Sequence, residues 1–296
     1  MNNEPCAGSR VEPSGHARRG SALPAWWLVF TRELAELWIG GRALNLLILF
    51  CIVLGILTYV LASSSQQDPI PPKEMVFYML GLSIAFGEFI GVIIGADSIS
   101  GERERATLEP LLLTPTSRRQ LVVGKFLAGV SPWPAALTIT VPYLAVLSQG
   151  DEVLGPALFW GAVLGSLLAS AFTGFAMLVS LWSNSNRTSL FMSLTVYLLC
   201  LLPTQLQGGA QKGAMGYLLK RVNPMESVNQ FIENVLINNR TPAHMSPWLT
   251  APVLFALTVF GVLFWYASPG LRLEQGRASR LWSRHRRQTG AGGHAI

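Results

Sequence analysis

Residues 97–125 read DSISGERERATLEPLLLTPTSRRQLVVGK. This stretch interrupts a chain built mostly of long apolar runs. It holds five of the chain's 22 Lys and Arg residues, a compact set of acids, and a leucine ridge at Leu108 and Leu111 to Leu113. Ser98 or Ser100 can cap a following segment, and Gly101 permits a sharp break. Glu102 and Glu104 then alternate with Arg103 and Arg105. Thr107 can start a short helix with Pro110 in its first turn, where a missing N–H costs little. Leu108, Leu111 and Leu112 fall on one face at i, i+3, i+4 spacing. Glu109 lies between them and Pro115 closes the segment. Ser117-Arg118-Arg119-Gln120 is a capping box that opens the next helix. The stretch therefore reads as helix end, short amphipathic helix over Thr107–Thr114, break, new helix. Exposed leucines rimmed by charge mark an interaction site, although packing under the rest of the chain would also cover them.

The flanking composition sets the context. Of 296 residues, 50% are hydrophobic and 13% charged, and mean hydropathy is +0.40. A soluble domain carries about 25% charged residues, so the sequence predicts an all-α polytopic membrane protein. Net charge is +6. The basic residues cluster beside apolar runs, which points to topology and anionic lipid rather than nucleic acid. Cys6, Cys51 and Cys200 have no metal-site spacing and form no disulfide framework.

Working outward, residues 1–22 are polar, lack a signal-type apolar core, and read as a disordered cytoplasmic tail. Over 24–42, Trp26, Trp27, Phe30, Leu34, Leu37 and Trp38 share an arc of about 120°, with Arg32, Glu33 and Glu36 largely opposite. Such a helix suits the membrane surface, anchored by Trp26, Trp27 and Trp38; a simple cytosolic extension of the first span is the alternative. Within a transmembrane domain over 23–270, spans are expected near 43–62, 75–96, 126–147, 153–182, 188–206 and 248–268, the first serving as signal anchor. Pro132, Pro134 and Pro142 interrupt the third, and Gly161, Gly165 and Ala169 form a small-residue stripe on the fourth. Segment 207–247 should hold short external helices. A basic tail spans 271–296. With both termini inside, 17 of the 22 cationic residues lie on the inner side and five outside, which favours cytoplasmic termini.

No GxxxxGK[ST], HExxH or GxSxG motif occurs, and the four histidines are scattered, so neither a nucleotide site nor a metal site is expected. Glu88 stands out near the middle of the second span, where a carboxyl costs about 2.5–3.5 kcal/mol. It reads either as a pathway-lining or dimer-contact group, or as a neutral acid that stabilises packing.

The run SGERERATLEPLLLTPTSRRQLVVGK resembles the signature loop of ABC-2 type permeases, through Ser100, Gly101, Glu102, Arg103, Glu104, Arg105, Thr107, Leu108, Glu109, Leu111, Leu112, Pro115, Ser117, Arg118 and Lys125. Ala106 stands where that family usually has glycine. NPMESVNQFIENVL (223–236) is similar to the family's segment between its last two spans, with Met225 and Asn234 replacing the usual Phe and Gly. The branch it looks closest to includes permeases of gliding-motility and nitrous-oxide-reductase maturation systems. The resemblance implies an amphipathic helix before the first span. It implies a loop, rimmed by Glu102–Arg105 and Arg118–Arg119, that docks in a cleft of a separate ABC ATPase, and short external helices before the sixth span. It implies a working unit of two permeases, identical or paralogous, and two ATPases in a bacterial inner membrane. ATP and Mg would sit on the ATPase, leaving this chain without cofactor or catalytic residue. A scaffold that docks an ATPase without transporting is the alternative. A secondary transporter should show internal repeats, and none is evident.

Overall fold

The computed structural model describes residues 24–64, 70–106, 117–205 and 214–270. The expected terminal tails and the expected helix over Thr107–Thr114 lie outside the described residues. Among those described, the protein is helical, with no strand. The order is α1 (Ala25–Ile39), α2 (Arg42–Ser64), α3 (Pro72–Glu104), α4 (Arg118–Val130), α5 (Pro132–Ser148), α6 (Leu154–Trp182), α7 (Asn186–Gln205), α8 (Ala214–Val222), α9 (Pro224–Leu236), α10 (Pro242–Met245), a 3-10 turn (Ser246–Leu249) and α11 (Thr250–Gly270). Six stretches are long and apolar enough to cross a bilayer. They are α2, α3, α4 with α5, α6, α7, and the segment ending in α11. Each corresponds to one expected span.

The centre of the bundle is the pair α3 and α6, both more than half buried, while α2, α7 and α11 keep most of their apolar surface outside. Small residues allow this close approach. A Cβ on Gly165 of α6 would lie 2.4 Å from the Trp133 ring, and one on Gly95 of α3 would lie 2.6 Å from the Thr173 carbonyl. On α3 a second row, Gly87, Gly91 and Gly95, passed over in the sequence reading, also faces close neighbours: Gly87 abuts Trp133, as Gly165 does, Gly91 abuts Ala169 and Thr173 of α6, and Gly95 abuts Thr173 and Ala176. Trp133, near the start of α5, is buried and fills the space beside Gly87 and Gly165. Its Nε1 donates to Ser166 Oγ at 2.9 Å. The third span breaks at Ser131, with Pro132 opening α5, where it costs no helix hydrogen bond. Pro142 stays inside α5.

The segment between the fifth and sixth spans holds α8 and α9, as the three- and four-residue spacing predicts. Asn223 caps α9, accepting at Oδ1 from Met225 N at 3.0 Å, and its Nδ2 donates to the Cys200 carbonyl at 2.6 Å. Met225, Val228, Phe231, Ile232 and Leu236 then face the bundle.

Two local expectations change. The helix does not break at Gly101; α3 runs on to Glu104. Ser98 and Ser100 donate back to the carbonyls of Gly95 and Ala96 instead of capping a new segment. Packing against α6 holds the helix past the glycine, because Ser180 Oγ accepts from Ser100 N at 2.8 Å. The break falls at Ala106, which has φ 57°. In α1 the buried residues are Val29 and Leu37. The face carrying Glu33, expected to be polar and solvated, turns toward α4.

Candidate coupling site

Three charged knots gather at the bundle end that carries residues 97–125. The first centres on Lys125 of α4. Its side chain is 1% exposed, and Nζ lies 2.8 Å from Glu33 Oε1 of α1 and 2.7 Å from Glu102 Oε1 of α3. Gly124 makes this reach possible. A Cβ there would stand 2.8 Å from Val29 Cγ1 and 2.9 Å from the Trp26 carbonyl, so α1 packs directly on the α4 backbone. A buried ammonium is tolerable only with such paired, hydrogen-bonded anions.

The second knot centres on Asp97 of α3. Arg42 Nη1, at the start of α2, donates to Oδ2 at 2.7 Å. Arg105 Nη2 donates to the same oxygen at 3.1 Å. Asn186 Nδ2, at the start of α7, donates to Oδ1 at 2.7 Å. Gly101 supplies the room, since a Cβ would lie 2.1 Å from Asp97 Oδ1. Its role here is clearance for a carboxylate rather than a bend.

The third knot fixes the last turn of α3 to the turn between α6 and α7. Arg103 Nη1 donates to the Ser183 carbonyl. Glu104 Oε1 accepts from Ser185 Oγ and from Asn186 N, both at 2.8 Å. Five helices are thus tied at one level by side chains spread from Glu33 to Asn186. Between the first two knots lies a cavity of about 510 Å³, walled by Leu37, Leu46 and Ile94 and rimmed by Arg42, Asp97 and Lys125.

Of the residues expected to make a docking rim, Gly101 and Glu102 are buried, and Arg103, Glu104 and Arg105 hold intramolecular partners. Arg118 and Arg119 are exposed on the first turn of α4. The expected capping box forms there: Ser117 Oγ accepts from Gln120 N at 3.3 Å, and Gln120 Oε1 accepts from Ser117 N at 3.2 Å. Thr107, Leu108, Glu109, Leu111, Leu112 and Pro115 lie outside the described residues. Trp27 is 40% exposed and Trp26 half-buried, while Trp38 Nε1 donates to Ser131 Oγ at 3.2 Å. Glu88 is buried and belongs to none of the three knots. Sequence reasoning missed Glu33, Arg42, Asp97 and Asn186 as members of the site. Single charges at the ends of apolar runs were the available signal for Arg42 and Asp97, but their pairing across 55 residues was not readable.

Comparison with known proteins places this sequence in a family. The sequence model described as ABC-2 family transporter protein matches residues 27–267, nearly the whole described bundle. The chain belongs to the ABC-2 transporter family. With its six apolar helices, this ABC-2 protein is a multi-pass membrane protein. It is 33% identical over 120 residues to the ABC transporter permease protein NatB of Bacillus subtilis, covering 36% of this chain and 30% of that protein. It is 27% identical over 172 residues to the probable ABC transporter permease protein NosY of Pseudomonas aeruginosa, covering 56% of this chain and 62% of that protein. The matched regions thus span less than two thirds of either relative's length.

Proposed function

We propose that this ABC-2 protein is the membrane-spanning permease subunit of an ATP-driven exporter, with segment 107–116 as the docking element for a separate ABC ATPase. The observation that carries the reading is how the ends of that segment are held. Arg105 at one end is bonded to Asp97, and Ser117 at the other is fixed by its capping box. The helices leading from those ends, α3 and α4, are joined by Lys125 and Glu102. A push on the segment is therefore delivered to α3 and α4 together. It passes to α1 through Glu33, to α2 through Arg42, and to α7 through Asn186.

In this mechanism ATP, with Mg, closes paired ATPase subunits. The docked segment follows, and the second and third spans tilt as one body. A path then opens outward at the interface with a second copy or paralogue. The leucine ridge supplies the buried contact, and Arg118 and Arg119 add charge-assisted pairs at its edge. The permease names of both relatives support the reading, and the clustering of cationic residues beside these helix ends supports a cytoplasmic position for this end of the bundle in a bacterial inner membrane.

Leu111→Asp tests it. The variant should insert in the membrane as the native protein does and lose at least about tenfold in co-purified ATPase, a difference of about 1.4 kcal/mol in binding. Undiminished co-purification would remove segment 107–116 as the dock.

A further inference from the structure

Glu88 lies about 24 Å along α3 from Glu104, in the apolar middle of the bundle. It is 1% exposed, and its Oε2 has no hydrogen-bond partner among the described residues. Ser193 on α7 is fully buried, and its Oγ likewise has none. The register of the two helices brings these groups to one level. Ser189 Oγ donates to the Ala96 carbonyl at 2.9 Å, and Tyr197 OH donates to the Ala85 carbonyl at 2.6 Å. Ser193 lies midway between those contacts, opposite the stretch of α3 that includes Glu88. Two buried polar groups left unpaired in one layer call for a further ligand, since each costs about 1–3 kcal/mol unmatched.

The chemistry of the layer selects the ligand. Tyr197 and Cys200 of α7 lie within electrostatic reach of Glu88. Of the other elements packed on α3, α2 carries Cys51 and Tyr59 in its apolar length, α5 carries Tyr143, and α6 carries none. Lys125 and Asp97 lie at one end of the bundle, and Glu226 and Glu233 lie at the other. With no cation among the described residues of the layer, an ionised Glu88 would stand uncompensated in the membrane interior, whereas the protonated acid is neutral and can donate. From Ser193 toward the 97–125 end the seam stays polar through Ser189, Ser100 and Asn186 to Asp97. Asp97 lines the cavity described above.

We propose that Glu88 and Ser193, bridged by water, form a proton-binding site in the α3–α7 seam that exchanges protons with the cavity at Asp97. A bridging water would take a hydrogen bond from the acid and satisfy the serine, meeting the two-partner minimum for a buried water.

The test is carbodiimide labelling of the full-length protein in phosphatidylcholine vesicles. The protonated carboxyl adds across one C=N bond of dicyclohexylcarbodiimide. Its oxygen bonds to the central carbon and its proton passes to nitrogen. The resulting O-acylisourea rearranges to a stable N-acylurea that peptide mass spectrometry locates. A carboxylate has no proton to give and does not add.

Labelling should fall on Glu88, decline about tenfold for each pH unit above the site's midpoint, and vanish in Glu88→Gln, which conserves side-chain shape. Ser193→Ala should shift the midpoint, because it removes one partner of the water. Three results would overturn the proposal: no labelling at any pH, labelling that does not vary with pH, or labelling blocked by sodium at constant pH. The first two describe a sealed packing acid, and the third a metal-cation site. An unchanged midpoint in Ser193→Ala would remove Ser193 from the site.

Discussion

Replacing Lys125 with Met would test whether the three-helix knot holds the bundle end together. The substitution conserves length and removes the charge. It strands Glu33 and Glu102, whose side chains are 15% and 12% exposed, facing each other without their shared cation. Breaking a buried pair by removing one partner costs about 3–5 kcal/mol. The cavity beside the knot lets some water reach the carboxylates, so the lower end, about 3 kcal/mol, is expected. That is roughly two orders of magnitude in the folding constant. The assay is reversible unfolding of the purified protein in mixed micelles, followed by tryptophan fluorescence, since Trp26 and Trp38 sit on the helix that the knot restrains. The triple variant Glu33→Gln, Glu102→Gln, Lys125→Met removes all three charges and should recover to within about 1 kcal/mol of the native protein, because apolar or neutral replacement of a whole buried cluster is close to neutral. A loss below about 1 kcal/mol in Lys125→Met, or a triple variant no more stable than the single one, would refute the reasoning.

Three further outcomes follow from the same structure. Gly95→Ala should destabilise by about 1–3 kcal/mol in the same unfolding assay, because its Cβ meets the fixed Thr173 carbonyl at 2.6 Å; Gly55→Ala on α2, where nothing lies within 4 Å, should be neutral or slightly stabilising. Ala106→Gly should stabilise by about 1 kcal/mol, since φ 57° is left-handed backbone in which Ala is strained and Gly is not. Burial pushes the Glu226 carboxyl above its ordinary range, opposed by the hydrogen bond from Gln230. An acid raised in the folded state stabilises fully below its unfolded pKa and loses that contribution as pH rises through the folded value. The native protein should therefore lose stability above the ordinary glutamate range, and Glu226→Gln should flatten that part of the profile; an identical profile in the variant would show that Glu226 does not cause the decline.

The six spans were legible because each is a long apolar run, and a bilayer demands such runs locally, whatever they later pack against. The Ser117 capping box and the helices α8 and α9 were legible for the same reason: their determinants lie within four residues of one another. The small-residue stripe on α6 announced a close contact but did not name its partners, and only the fold shows that they are Leu80, Ile84 and Gly91 of α3, with the Trp133 ring shared by Gly165 and Gly87. The continuation of α3 through Gly101 ran against local propensity because Ser180, 80 residues away, accepts from its backbone.

For the 97–125 stretch the division is sharpest. By itself the sequence determined that a charged, leucine-bearing segment separates two apolar helices, and where its second helix starts. The tertiary structure decided which of its charges turn inward. Glu102, Arg103 and Glu104 read equally well as a rim for a partner, and only the approach of α4 and of the turn between α6 and α7 puts Lys125, Ser183 and Ser185 beside them. Opposite charges attract at whatever separation in sequence the fold brings them together, so no local pattern could have announced those pairs.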